Sequence, residues 1–153
     1  MQMQLAVVAE YVNRSDVGNV NLMGVFDHIA SHAYPAHHHS LTVFFRMRVT
    51  PSEADGPPLR VAIKLMDADG GLLVEMRGET VLNKPSADWG WWDHQLTLNN
   101  LLFEKPGTYS FALLVNGMEQ ATVPLRMVLV GPPEIDESGT LGVRDEETQC
   151  PPN

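Results

Sequence analysis

Apolar residues at every second position dominate this chain, which is the spacing of a β-strand with one buried face. In residues 41–49 apolar side chains occupy every odd position: Leu41, Val43, Phe45, Met47 and Val49. Similar alternation recurs in residues 3–12, 19–27, 59–66, 72–80, 95–102, 108–115 and 119–130. No segment keeps a helical stripe. The pattern therefore predicts about eight short strands.

Turn residues separate these segments. The sequence DADGG at residues 67–71 and the pair Asn116-Gly117 both favour tight hairpins, because glycine, asparagine and aspartate tolerate positive φ angles. At Asn99-Asn100 the apolar phase shifts, which indicates a β-bulge. Pro124 lacks an N–H group, so its strand is expected to lie at a sheet edge or to bulge there.

The strand spacing is typical of an antiparallel immunoglobulin-like β-sandwich, which we place at residues 1–131. Tyr109 lies at the start of a strand, two residues after Gly107 of the Pro106-Gly107 turn, and can donate a hydrogen bond back across the corner between two strands, as in such sandwiches. An antibody-type domain is excluded, because Cys150 is the single cysteine.

Charge and composition narrow the range of partners. The chain has 153 residues and a net charge of −9, from 19 acidic and 10 basic residues. This balance argues against binding to nucleic acids or to anionic membranes, both of which favour basic surfaces. Residues 132–153 hold six of the acidic residues, one basic residue and four prolines, so we expect a flexible acidic tail. With no signal peptide and a single cysteine, a cytoplasmic location is expected.

A histidine run gives the first candidate site. Six chelating side chains lie within thirteen residues: Asp27, His28, His32, His37, His38 and His39. On an extended chain His37 and His39 point the same way, and His32 or Asp27 could complete a Zn or Ni site. The run is expected in a loop before a strand and has no helical H-E-x-x-H motif, so solvated histidines are the alternative interpretation.

A tryptophan segment gives the second candidate site. The sequence WGWWDH places three tryptophans beside an acid and a histidine: Trp89, Trp91, Trp92, Asp93 and His94. Exposed tryptophans bind proteins or stack on sugar rings, whereas buried ones fill the core. Trp91 and Trp92 are adjacent and cannot both face inward on a regular strand, so at least one is expected near the surface.

Other chemistry is weakly represented in the sequence. The aspartates of DADGG have no partner glutamate at the twelfth position of a calcium loop, where Gly78 stands. No phosphate-binding loop, dinucleotide fingerprint, G-x-S-x-G motif or cysteine-based zinc pair is present in the chain. The sequence therefore favours a protein that is not an enzyme.

Several short motifs resemble those of a family of small bacterial proteins of unknown function. They are A-x-Y at residues 9–11, N-x-x-G-x-F-D at 21–27, PG-x-Y-x-F at 106–111, V-x-G at 115–117 and PL at 124–125. The resemblance spans most of residues 4–130 and implies an immunoglobulin-like sandwich, with no catalytic residues. The triple histidine and the WGWW segment are departures from the family pattern.

Three functions follow as hypotheses. The first is a non-enzymatic protein-binding or scaffold module, whose partner is another protein or a second copy paired through an edge strand. The second is glycan or small-ligand binding at Trp91 or Trp92. The third is metal-dependent chemistry at the histidine run.

Overall fold

The computed structural model describes residues 1–131, and the predicted tail at 132–153 lies outside the described residues. The described part is mostly β-structure, as the alternation predicts. Its elements are β1 (Gln2–Arg14), β2 (Val20–Phe26), β3 (His28–Ser31), β4 (Ala36–Val49), α1 (Pro51–Ala54), β5 (Leu59–Met66), β6 (Leu72–Thr80), β7 (Gly90–Phe103), β8 (Gly107–Val115) and β9 (Met118–Leu129).

The strands form two sheets. The first sheet has the order β2-β1-β4-β7, and the second has the order β3-β9-β8-β5-β6. The prediction of purely antiparallel pairing is wrong at one place, because β3 runs parallel to β9 over Arg126 to Leu129. The four-residue β3 carries too few alternating positions to be recognised from sequence.

One apolar core lies between the two sheets. The inward odd positions of residues 41–49 are buried, as predicted, and they pack against inward residues of β5, β8 and β9 such as Ile63, Phe111 and Leu125. Burial of this apolar area is the main favourable contribution to folding. Within residues 1–131, no helix has the length and apolar character needed to cross a membrane.

The predicted turns are confirmed. Asp67 Oδ1 accepts hydrogen bonds from the backbone N–H groups of Asp69 and Gly71, at 2.9 and 2.7 Å, so turn chemistry explains this aspartate. Asn116 and Gly117 both have positive φ angles, 51° and 81°, as a tight type I′ hairpin requires.

Pro124 lies at a local sheet edge, as predicted. At Pro124, β9 pairs with β8 on one side only, because its pairing with β3 on the other side begins at Arg126.

The predicted corner hydrogen bond is also present. The Tyr109 hydroxyl donates to the carbonyl oxygen of Lys105 at 2.8 Å, and its ring meets Phe103 edge to face, with ring centroids 4.9 Å apart. This contact fixes the connection between β7 and β8, and therefore ties the edge of the first sheet to the middle of the second.

In two strand pairs the alternation of inward and outward residues shifts by one position along the strand, although the pairing of the two strands stays in register. In β7 the inward residues shift from Leu96 and Leu98 to Leu101 and Phe103, and Asn100 between them has a φ of 53°. The pairing with β4 continues in register from Asn99 to Phe103, so the predicted bulge at Asn99-Asn100 is wrong. A left-handed backbone conformation, rather than an extra residue, produces the phase shift.

The second change of side lies in the β1–β2 hairpin. Val8 faces the main core, but Val12 packs on the outer face of the first sheet with Phe44. Gly24, with a φ of 64°, stands between these positions on β2, and a Cβ atom there would lie 2.7 Å from the side chain of Glu10. Beyond this point β1 leaves β4, whose pairing with it ends at Ala9, and the end of the hairpin folds over the sheet.

Candidate functional site

The tryptophan segment lies beside two arginines on the outer face of the first sheet. β7 and β4 are antiparallel, and their register places Asp93 opposite Arg46 and Trp91 opposite Arg48. Directly opposite side chains on one face of an antiparallel pair contact each other. We call the five side chains gathered here the Trp–Arg face: Arg46, Arg48, Trp89, Trp91 and Asp93.

Asp93 is the buried anchor of this face, because its side chain is only 4% exposed. The Arg46 guanidinium donates two hydrogen bonds to the carboxylate, from Nε to Oδ1 at 2.7 Å and from Nη2 to Oδ2 at 2.8 Å. Arg14 Nη2 adds a contact with Oδ2 at 2.9 Å. Burial raises the pKa of Asp93, but the hydrogen bonds and charges of Arg46 and Arg14 outweigh burial and hold this pKa below its ordinary value.

The β1–β2 hairpin positions Arg14 next to Asp93. Arg14 belongs to β1, which is separated from β7 by β4 in the sheet order. It reaches Asp93 because the end of the β1–β2 hairpin folds over the outer face, where Val12, Val20 and Leu22 pack against Phe44. The site therefore depends on a long-range contact that local sequence patterns do not reveal.

The two exposed tryptophans meet edge to face next to the arginines. The ring centroids of Trp89 and Trp91 are 4.9 Å apart, and the side chains are 40% and 44% exposed. Arg48 Cζ lies 4.8 Å from the Trp89 ring centroid, and Arg46 Cζ lies 5.3 Å from that of Trp91. Both distances are within the range of cation–π attraction. These contacts hold the two indoles in place while leaving much of their surface in solvent.

The other two predicted residues of the segment face inward. Trp92 packs against the main core, so the expectation that one of the adjacent tryptophans lies near the surface is met by Trp91. His94 stacks on Trp92, with ring centroids 5.6 Å apart, and burial lowers the pKa of His94. Trp92 and His94 therefore support the exposed face from behind rather than belonging to it.

A groove of about 310 Å³ adjoins the Trp–Arg face at the free edge of β7. Its walls include Arg14, Trp91 and Asp93, together with residues 80–83, which are the last residue of β6 and the three residues after it. The Arg14 side chain is half exposed, so its guanidinium presents positive charge to this groove. The combination suits a carboxylate-bearing side chain that packs its apolar part against Trp91.

The side chains of the histidine run do not converge as those of the tryptophan segment do. His37, His38 and His39 lie in β4, so the prediction that they occupy a loop is wrong. Alternation along a strand sends His38 toward the interior side, where its ring approaches Phe26, while His37 and His39 are exposed. The apolar residues Leu102 and Leu101 stand opposite His37 and His38 on β7.

The remaining predicted metal ligands are engaged elsewhere. Asp27 contacts His28 Nδ1 at 2.7 Å and Arg126 at 3.6 Å, and the hydrogen bond from His28 lowers the pKa of Asp27. His32 Nδ1 lies 3.3 Å from the carbonyl oxygen of Val130. Within residues 1–131, no three histidine, cysteine, aspartate or glutamate side chains are grouped so that they could hold one metal ion.

Sequence reasoning identified the tryptophans but missed Arg14, Arg46 and Arg48. Arg46 and Arg48 carried a usable signal, because both occupy outward positions of the alternating segment 41–49. Their opposition to Asp93 and Trp91 depends on strand order and register, which alternation does not determine.

Two solved structures are distantly similar to this chain. The DNA glycosylase AlkC of Pseudomonas fluorescens, in complex with DNA containing an abasic site analog, shares 11% identity at a TM-score of 0.42, over 80% of this chain and 30% of that chain. A glycosyl hydrolase family 2 member from Bacteroides cellulosilyticus shares 9% identity at a TM-score of 0.33, over 60% of this chain and 13% of that chain. This chain therefore spans less than a third of either protein, and similarities at this level carry no argument about function.

Sequence comparison is more informative. No curated protein matches this chain. The sequence model of a family of unknown function, DUF6941, matches residues 4–128, which include both sheets and every member of the Trp–Arg face. Because the match covers most of the chain, the protein belongs to the DUF6941 family.

Proposed function

We propose that this protein is a non-enzymatic, cytoplasmic protein-binding module built on an immunoglobulin-like sandwich, and that it binds an acidic segment of a partner through the Trp–Arg face. The observation that carries the proposal is the pair of exposed indoles, Trp89 and Trp91, held against Arg48 and Arg46 around a buried carboxylate. Tryptophan and arginine are the residues most enriched at the energetic centres of protein interfaces.

The strand order supports the immunoglobulin-like part of the proposal. Without β2 and β3, the sheets read β1-β4-β7 and β9-β8-β5-β6. This order corresponds to strands A-B-E and G-F-C-C′ of immunoglobulin-like sandwiches. Tyr109 lies near the start of β8, which takes the place of strand F, and makes the corner hydrogen bond typical of that position.

Charge favours an acidic partner. Arg14 and Arg46 pair with the carboxylate of Asp93, and Arg48 lies over the Trp89 ring, so three positive charges face one negative charge on a chain of net charge −9. Arginine pairs well with carboxylates, and long-range attraction to such a patch accelerates association. The fixed geometry of the indoles reduces the entropy lost on binding.

The geometry favours a protein partner over a glycan. A sugar ring stacks on the flat face of an indole, and here the Arg48 and Arg46 guanidinium groups lie over the Trp89 and Trp91 rings. Trp92, the other residue predicted for sugar stacking, packs against the core. Sugar binding is therefore the competing outcome that the experiment must separate.

The test begins with affinity capture from the native host, using the full chain as bait. The Trp89→Ala/Trp91→Ala variant is compared with Met118→Ala/Leu129→Ala, which removes exposed apolar side chains from β9 of the second sheet. A stoichiometric protein that is lost with the tryptophan variant and kept with the β9 variant supports the proposal. Recovery that is unchanged by loss of both indoles overturns it.

The purified partner then tests the charge argument. Arg48→Glu is expected to weaken binding at least about tenfold, whereas Lys84→Glu, a charge reversal at a lysine that pairs with Asp55, leaves the affinity unchanged. A glycan array is run in parallel. Specific oligosaccharide binding that requires Trp91 would replace the protein-binding proposal with lectin activity.

A further inference from the structure

A second surface, on the opposite sheet, has the features of an interface between two copies of the chain. Strand β6 (Leu72–Thr80) is the outermost strand of the second sheet and pairs only with β5 among the described strands. Leu72, Leu73 and Met76 on this strand are 52%, 43% and 49% exposed. A strand edge with exposed apolar residues invites further pairing unless it is protected.

The usual protective devices are weak in the middle of β6. The strand contains neither proline nor lysine, both of which block edge pairing in natural proteins. An irregularity between Leu65 and Met66 of β5 leaves Leu73 as an extra residue, but pairing from Val74 to Thr80 is regular. The segment from Val74 to Gly78 is therefore an open, regular edge.

We propose that two copies of this chain pair antiparallel through β6, with Met76 of each copy opposite Met76 of the other, to form one continuous ten-stranded sheet. A two-fold axis perpendicular to the sheet gives such an isologous interface. This proposal uses a different sheet from the Trp–Arg face and does not rest on the proposed function.

The charges on the strand and its length together select this register. Centring the pair on Met76 places Glu75 opposite Arg77 of the second copy, and Arg77 opposite its Glu75, so two attractive pairs form. Centring on Glu75 or on Arg77 places like charges opposite each other, and centring on Val74 places Glu75 opposite a leucine. Centring on Gly78 also forms two attractive pairs, Arg77 with Glu79, but it pairs only residues 76–80, whereas the register centred on Met76 pairs all nine residues of β6. Pairing shifted by one residue would place inward side chains opposite outward ones.

Glu75 and Arg77 already contact each other within one copy of the chain. Arg77 Nε lies 2.9 Å from Glu75 Oε1 within the same strand, and Lys64 Nζ lies 3.7 Å from the same oxygen. Both side chains are therefore already held on the outer face of the sheet. A second copy would extend this row of ions across the two-fold axis, which strengthens the pairs through a shared network.

The shape of the strand also favours the register centred on Met76. Apart from its two chain neighbours, no residue among 1–131 has an atom within 4 Å of the position that a Cβ would occupy on Gly78, so an open space adjoins this residue. In the Met76-centred register Val74 of the second copy stands opposite Gly78 and fills that space. The exposed Met76 side chains would meet at the axis, and methionine adapts readily to such a contact.

The first test measures dimerisation of the full chain by sedimentation equilibrium over a hundredfold range of concentration. Arg77→Glu is expected to weaken the dimer at least about tenfold, because two attractive pairs become repulsive. Arg126→Glu, the same reversal on β9, is the control and leaves the dimer intact. A chain that stays monomeric throughout, or a dimer that Arg77→Glu does not weaken, overturns the proposal.

The charge swap tests self-complementarity. Glu75→Arg/Arg77→Glu regenerates both cross-strand pairs between identical chains, so it is expected to dimerise more tightly than Arg77→Glu alone. A swap no better than the single variant overturns the register. Circular dichroism of each variant verifies that it is folded.

Cross-linking tests the register without any change of charge. In a Cys150→Ser background, Met76→Cys is expected to give a disulfide-linked dimer under mild oxidation. Leu72→Cys is the control, because the proposed register separates the two Leu72 positions by eight residues, or roughly 27 Å. A disulfide-linked dimer that forms with Leu72→Cys and not with Met76→Cys would contradict the proposed register. Binding of β6 to a strand of a different protein would contradict the proposed dimer.

Discussion

The tryptophan segment and the histidine run look alike in the sequence but differ in the folded molecule. Each packs several aromatic side chains into a few residues, and the pair formed by β4 and β7 carries His37–His39 of the one and Trp91–His94 of the other. In the tryptophan segment, Asp93 and Trp91 have Arg46 and Arg48 opposite them. In the histidine run, leucines stand opposite His37 and His38.

The difference shows that cross-strand partners, rather than local clustering, decide whether a cluster becomes a site. Consecutive residues on a strand point to opposite faces, so neither cluster could converge by itself. In the tryptophan segment, the arginines of the neighbouring strand contact Asp93 and Trp91 on one face of the sheet. In the histidine run, apolar residues stand opposite the histidines, and the histidine side chains lie on both faces.

The largest expected effect separates the two halves of the tryptophan segment. Trp92→Ala removes a large side chain that packs against the core, so we expect the free energy of unfolding to fall by about 3 kcal/mol. Trp91→Ala removes an exposed side chain and should cost less than about 1 kcal/mol. Urea denaturation of both variants measures the difference, and equal losses would contradict the assignment of Trp92 to the core.

The next prediction concerns the buried carboxylate. Asp93→Asn leaves Arg46 and Arg14 without their counter-charge, and we expect a loss of about 2 kcal/mol at pH 7. In comparison, His37→Gln changes an exposed side chain of the histidine run and should have little effect. Urea denaturation of the two variants shows whether only the first cluster holds a structural ion pair.

The same carboxylate gives a pH dependence of defined sign. Because the pKa of Asp93 is lower in the folded chain than its ordinary value of 3.8, its stabilisation is complete above about pH 5 and is lost as the pH falls through 3.8 and then through the folded value. The difference in stability between wild type and Asp93→Asn should shrink over that range. A constant difference down to pH 2 would contradict a lowered pKa.

A smaller effect tests the histidine run. His38 Nε2 is buried and has no hydrogen-bond partner within the described residues, which is unfavourable for a polar atom. We expect His38→Leu to raise the free energy of unfolding by about 0.5–1 kcal/mol. His37→Leu, at an exposed position, should change it by less than about 0.5 kcal/mol. Destabilisation by His38→Leu would show that the ring nitrogen is used.

The smallest effect concerns His94. Burial places its folded pKa below its ordinary value of 6.5, so below that pH the unfolded chain takes up a proton that the folded chain does not. Stability should fall as the pH is lowered through 6.5 and level off below the folded value. Thermal denaturation of His94→Gln should lack this component, whereas His37→Gln should keep it.

Local alternation predicted most strands well. The predicted segments 59–66 and 72–80 coincide with β5 and β6, because turn residues bound both segments and each strand has a regular period of two. The sequence predicts a loop at His37–His39 because these side chains carry no apolar alternation, whereas β4 begins at Ala36. The short helix α1 has a capping box between Thr50 and Glu53, a signal present in the sequence but too short to predict a helix.

The candidate site was predictable only in part. Tryptophan composition drew attention to residues 89–94, and adjacency required one of Trp91 and Trp92 to lie near the surface. The arginines could not be assigned, because their contacts join β1, β4 and β7 across long sequence separations. The change of side at Gly24, which allows Arg14 to reach Asp93, is a backbone conformation that hydrophobic patterns report only indirectly.

The sequence by itself determined a chain of short strands and the residues that each buries, because a period of two and the preferences of turn residues are local properties. It also determined membership of the DUF6941 family. The tertiary structure alone decided which strands are neighbours, in what register, and on which face each polar cluster lies. The reason is physical: a strand gains its partners only when the core closes, and the energy of that closure comes from contacts distant in sequence.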